Sequence, residues 1–260
     1  MTNPRTFLLA CAGVLACGSS SPPAAARWGQ WVWTPQDAAI YTALREKHPE
    51  IRAGVLVAEL GLDGDEVVSH LRLAPDRARG ADVVVIRLDD ALHPLWERHA
   101  PADVASRIGP PLAAVLRLVA RRSEHFELQL DYDCPTRYLQ AWSEVLGLLS
   151  AGPLEGRVPW ITSLPSHVET AGYGAWFTGK IAGHILQVFD TGRHADTAGA
   201  LADAAERQGL AYRIGLGAFE RVGTGHRRWF SETGRLCRAP LCDEIWVFPA
   251  GQLWSPEGKP

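Results

Sequence analysis

The stretch Phe126-Glu127-Leu128-Gln129-Leu130-Asp131-Tyr132-Asp133 decides how the rest of the chain is read. Its period of two is that of a β-strand: Phe126, Leu128, Leu130 and Tyr132 share one face, and Glu127, Gln129, Asp131 and Asp133 share the other. Apolar segments flank it on both sides in sequence, so a wholly polar face is unusual. The inner wall of a barrel normally carries packed Val, Ile and Leu. Polar groups placed there must find partners or serve a site, because each one buried unpaired costs roughly 1–3 kcal/mol. Two of the four are carboxylates at the strand's C-terminal end, where barrel enzymes keep their chemistry.

Working outward, strand-length apolar runs recur at 30–33, 53–59, 82–88, 126–133, 158–164, 184–190, 211–217 and 244–248. Helical patterns separate several of them. Thr34 can cap a helix that Pro35 opens and that runs to about Lys47. Further helices are predicted over 111–122, from Pro135 to Leu149 with Gly152 past the end, and over 195–208 before Gly209. Eight strands alternating with helices predict a single (β/α)8 barrel of the TIM type over residues 28–260, irregular in its last βα units. Residues 60–80 leave room for only a short helix, 218–243 reads as a long loop, and nothing after Pro249 forms a full eighth helix. A doubly wound open sheet is the competing architecture.

The net charge of -3 and pI near 6.3 give no electrostatic reason to expect a nucleic-acid partner. The N-terminus has the pattern of an export signal: Arg5, then a short apolar run from Phe7 to Ala16. Val14-Leu15-Ala16-Cys17 resembles a bacterial lipobox, which divides the chain into a signal peptide (1–16), a lipidated Cys17 with a tether (17–27) and the barrel. The expected location is the cell envelope, anchored to a membrane through the lipid. An ordinary signal peptide cut near residues 24–26 is the alternative. Export permits disulfides, and Cys237 and Cys242 are close enough in sequence to close a small loop. No CxxC pair supports a zinc site, and the glycines at 215, 217, 223 and 225 match neither a dinucleotide fingerprint nor a P-loop, so no metal or cofactor is expected.

The segments FELQLDYDCPT (126–136), ITSLPSH (161–167) and LQVFD (186–190), with the opening Trp31-Val32-Trp33, resemble a bacterial family, domain of unknown function 3142. That resemblance implies a barrel akin to glycoside hydrolases without implying a substrate. A wider resemblance is to chitinase-like family-18 hydrolases, whose fourth strand ends in D-x-D-x-E. Asp131 and Asp133 then take the two Asp positions and Pro135 the acid's, which implies that the usual proton donor is absent.

Glycoside hydrolysis needs one carboxyl to protonate the leaving oxygen and a second as base or nucleophile. Asp133, Asp131 and Glu59 are the catalytic candidates. Asp133, nearer the mouth, is expected to carry the raised pKa, and Asp131, beside Arg87, to stay ionised. Each also has a structural reading: Asp131 as the partner of Arg87, Asp133 as a cap for the following helix. Asp89, Asp190 and Glu220 also stand at strand ends. Arg87, Asp190 and the indoles of Trp33, Trp176 and Trp246 are candidates for holding a sugar; any of these tryptophans can equally be core. Ser166-His167 invites a nucleophile-and-base reading, but no G-x-S-x-G surrounds any serine. The expected function is an exported glycoside-hydrolase-like barrel acting on a cell-envelope or environmental glycan. The alternative is a non-catalytic barrel that binds a glycan or an envelope partner.

Overall fold

The computed structural model describes residues 26–72, 81–123, 125–219, 226–238 and 240–256. Strands β1 (Arg27–Val32), β2 (Arg52–Asp63), β4 (Val83–Leu88), β5 (Glu127–Asp131), β6 (Trp160–Ser163), β7 (Gly183–Gln187), β8 (Tyr212–Gly217) and β9 (Cys242–Phe248) run parallel, each beside the next. Gly29 of β1 faces Arg52 of β2 on one side and Trp246 of β9 on the other, so the sheet closes on itself. This is the predicted (β/α)8 barrel, and each predicted strand lies where one is found.

Local chemistry explains where the helices start. Helix α1 (Pro35–Arg45) opens with a capping box: the Asp37 N–H donates to Thr34 Oγ1 (3.1 Å), and the Thr34 N–H donates to Asp37 Oδ2 (3.0 Å). The other helices are α2 (His93–Arg98), α3 (Pro101–Ala120), α4 (Leu139–Ser150), α5 (Pro165–Val168), α6 (Tyr173–Phe177), α7 (Ala198–Arg207) and α8 (Thr233–Leu236). Helix α3 corrects the sequence reading, which started it at Pro111. Pro110 and Pro111 lie inside it, and the buried stripe Val104, Ile108, Leu112, Val115 and Val119 carries the helix through the lost N–H groups. A second correction falls on residues 60–72. They form no helix; β2 runs on to Asp63 and turns through Gly64-Asp65 into an antiparallel strand β3 (Glu66–Leu71). Gly64, at φ +59°, supplies the positive φ that a two-residue hairpin loop needs.

Two cores result from the period of two. Leu128, Leu130 and Tyr132 of the decisive segment face outward into the sheet–helix layer, where Tyr132 lies between Trp96 (5.8 Å) and Trp142 (5.5 Å). The lumen holds Trp31, Leu56, Val83, Val85, Ile185 and Trp246. Glycines make room for these indoles. A Cβ on Gly29 or Gly54 would lie 2.7 Å from the Trp246 ring, and one on Gly215 would lie 2.9 Å from Trp31. The N-terminal end of the lumen is closed by two arginines and two glutamates, with Arg27 adding a further contact to Glu244 at 3.2 Å. Arg52 contacts Glu244 (2.6 Å) and Glu127 (2.8 Å), and Arg213 contacts the same two carboxylates at 2.6 and 2.8 Å. Arg213 also lies flat over Trp160, 3.6 Å from the ring centre. Burial pushes the Glu127 pKa up, but its bonds to Arg213 and the charges of both arginines outweigh burial and hold it below the ordinary value.

Candidate active site

A cavity of about 330 Å³ opens at the C-terminal ends of the strands. Asp131 and Asp133 from β5 and its extension form one wall with Arg87 from β4. Trp33, Phe248 and Phe189 supply aromatic surface, with Trp31 at the base. Gln187 and Asp190 complete it from the end of β7. Asp190 sits at φ +55°, a conformation that non-glycine residues adopt sparingly and that is found more often at functional turns.

Register explains the convergence. Arg87 pairs with Asp131 across the β4–β5 ladder, so both side chains stand on the lumen face. The Arg87 guanidinium lies 3.6 Å from Asp131 Oδ2 and 4.0 Å from Asp133 Oδ2, and stacks 5.4 Å from the Trp33 ring. One cation thus serves two carboxylates at loose distances. Burial, reinforced by the charge of Asp131, pushes the Asp133 pKa up to about 6 against the pull of Arg87. Asp131 corrects the sequence reading: it too is raised, because its complete burial outweighs Arg87 and a hydrogen bond from Thr162. Oδ1 of Asp133 and Nε1 of Trp33 are both buried without a hydrogen-bond partner among the described residues, which leaves an acceptor and a donor for a ligand.

The other candidates are placed less centrally. Glu59 does not line the cavity; its carboxylate is held by Arg72 at 2.6 Å, and its bond to Asp89 helps lower the pKa of that residue. Trp246 is fully buried under Trp31 and offers no ring face to a sugar. Trp176 packs on the helical layer beside Gly172, away from the cavity. Both nitrogens of His167 are committed, Nδ1 to the Leu164 N–H (3.1 Å) and Nε2 to the Cys134 carbonyl (2.8 Å), so Ser166-His167 is no catalytic pair. Cys237 and Cys242 form a disulfide. Cys17 and Glu220 lie outside the described residues. No cluster suited to a metal occurs among the described residues.

The sequence reading passed over Thr162, which binds both Gln129 and Asp131, and Gln187. The available signal was a polar residue on the lumen face of an apolar strand, as in the Ile185, Gln187, Phe189 alternation.

Solved structures of similar fold include a spore cortex-lytic enzyme and family 18 chitinases. The spore cortex-lytic enzyme SleL of Bacillus megaterium superposes with a TM-score of 0.62 at 9% identity, over 90% of this chain and 72% of that one. A family 18 chitinase from Crocus vernus gives 0.53 at 14% identity, over 86% and 92% of the two chains. The catalytic domain of a family GH18 chitinase from the fern Peteris ryukyuensis gives 0.54 at 11%, over 89% and 92%. At these identities the likeness is one of fold. No protein-family model matches the sequence, and no curated protein does.

Proposed function

We propose that this protein hydrolyses a glycosidic bond of a cell-envelope or environmental glycan, with Asp133 as the general acid. The observation that carries the reading is a pair of carboxyls, Asp131 and Asp133, lining an aromatic cleft at the C-terminal mouth of a barrel, where burial pushes the Asp133 pKa up to about 6. A carboxyl of that pKa retains a proton at mildly acidic pH and can deliver it to the departing oxygen as the C–O bond breaks and that oxygen takes the electron pair. Water supplies the hydroxyl that ends on the sugar carbon and the proton that restores Asp133. Asp131 is the second carboxylate. Set two residues earlier, the family-18 pattern D-x-D-x-E falls on Gln129-x-Asp131-x-Asp133, with Gln for its first Asp and Asp for its Glu. In that register a carboxyl occupies the acid's place, and Pro135 merely opens the turn Thr136–Tyr138.

We further propose, on segments 126–136, 161–167 and 186–190, that the chain belongs to the family domain of unknown function 3142, and, on Val14–Cys17, that it is exported and lipid-anchored at Cys17. The Cys237–Cys242 disulfide supports an oxidising compartment. Wild type partitions with membranes in this reading and Cys17→Ser does not; equal partitioning of the two counts against the anchor.

A binding-only barrel is the second reading, favoured by Arg87 lying within reach of both carboxylates. A cleavage screen across envelope and plant glycans, with wild type and Asp133→Asn side by side, separates the two. Turnover by wild type alone supports hydrolysis. Binding without turnover by either supports the second reading.

A further inference from the structure

A chain of buried hydrogen bonds leads from the barrel interior to the carboxylate pair. Trp31 Nε1–H donates to Gln129 Oε1 (3.0 Å), Gln129 Nε2–H donates to Thr162 Oγ1 (3.4 Å), and the Thr162 hydroxyl bonds Asp131 Oδ1. All four side chains are buried.

The direction of this chain is fixed at its far end. An indole N–H can only donate, so Gln129 must turn its oxygen toward Trp31 and its NH2 toward Thr162. An NH2 group accepts nothing, so the single hydroxyl proton of Thr162 has one acceptor left among its described partners, Asp131 Oδ1. That oxygen receives a proton from its neighbour and has no use for its own. The other oxygen of Asp131, Oδ2, faces the Arg87 guanidinium. Asp133 differs: Oδ2 is the more distant partner of Arg87, and Oδ1 has no partner among the described residues.

We infer that the Trp31–Gln129–Thr162 chain is a positioning device that fixes Asp131 as an acceptor and thereby assigns the proton shared by the two carboxyls to Asp133 Oδ1. Burial lifts both carboxyls; the chain orders them. The remaining charged groups that act on the pair are Arg87 of β4 and Asp90 of the turn after it; Asp190, from the end of β7, lines the same cavity. Of these, Arg87 acts on Oδ2 of Asp131, and Thr162 alone among the described residues donates to Oδ1. The value of this arrangement to catalysis rests on the hydrolase reading, since it keeps the proton on the carboxyl nearer the mouth. The assignment itself does not.

The test follows carboxyl 13C resonances of aspartate-labelled protein through a pH titration, with Asp131→Asn and Asp133→Asn assigning the signals. It needs no substrate, so its failure is distinct from an empty glycan screen. In wild type the first proton taken up as pH falls goes to Asp133. In Thr162→Val, which keeps the shape but removes the donor, Asp131 gains proton affinity about tenfold and the Asp133 midpoint drops by about one pH unit. Thr162→Ser restores the wild-type curves. First protonation at Asp131 in wild type overturns the proposal. So does a folded Thr162→Val whose curves superpose on wild type. If Thr162→Val does not fold, the wild-type order alone decides.

Discussion

At the N-terminal end of the lumen two arginines meet two glutamates; at the C-terminal end one arginine meets two aspartates. Both clusters grow from the same polar face of one strand, which carries Glu127 at its foot and Asp131 and Asp133 at its head. Below, each carboxylate is held by both guanidiniums at 2.6 to 2.8 Å, and Glu127 is kept ionised. Above, the contacts lengthen to 3.6 and 4.0 Å and both carboxyls are pushed toward the neutral form. Charge that is matched in number and held close is spent on the scaffold. Charge that is outnumbered and loosely held keeps a proton to give and an acceptor to fill. The difference separates scaffold from site on a single strand.

Three mutations bear on that contrast. The largest effect belongs below. Arg213→Met, at a residue 3% exposed, takes from the fully buried Glu244 its one buried arginine, leaving Arg52 and the exposed Arg27, and should cost about 3–5 kcal/mol in urea unfolding. The Asp133 titration at the other end should not move. A loss under about 1 kcal/mol would mean that the cluster is not a structural unit.

Asp131→Ala comes second. A fully buried pair would put the cost at about 3–5 kcal/mol, but Arg87 is 26% exposed and keeps Asp133 as a partner, so about 2 kcal/mol is expected. Chemical denaturation at pH 7 measures it. A cost equal to that of Arg213→Met would erase the distinction between the two ends.

The smallest effect has the opposite sign. The folded-state pKa of Asp133, about 6, lies above that of an unfolded aspartate, so the native state binds the proton more tightly. Stability from this group is complete below the unfolded pKa and is lost as pH rises through about 6. Asp133→Asn escapes that loss. It should be more stable than wild type by about 1 kcal/mol at pH 8, a figure reduced because a third of the side chain is exposed, and equal to it below about pH 4. Melting curves at the two pH values check this, and a variant less stable at pH 8 would make Asp133 a structural carboxylate.

The barrel was legible because apolar runs of period two report strands whatever fills the lumen. The polar face of 126–133 was legible for the same reason. The hairpin was missed although Gly64-Asp65 stood between alternating segments, because a strand that leaves the barrel breaks the βα rhythm against which it was read. Trp246 was misplaced as a platform because a buried and an exposed indole look alike in sequence. What distinguishes them is glycine on the neighbouring strands, at Gly29 and Gly54. Thr162 was visible as a polar residue in an apolar strand, but its part was not, since that depends on a partner 31 residues away and on the direction of a proton.

The seam between β1 and β9 has a consequence for how the chain acquires its shape. Arg27 of β1 is paired with Glu244 of β9, and Trp254 beyond it donates to Gln30 Oε1 at 2.7 Å. Closure therefore waits for residues more than two hundred positions apart. Until β9 arrives, the growing sheet has two bare edges, and the Gly29 pocket lacks the indole it is shaped around. A chain built this way cannot close its barrel until β9 and Trp254 have joined β1. Pairings this distant in sequence slow folding, and the Cys237–Cys242 bridge holds the start of β9 against the segment before it.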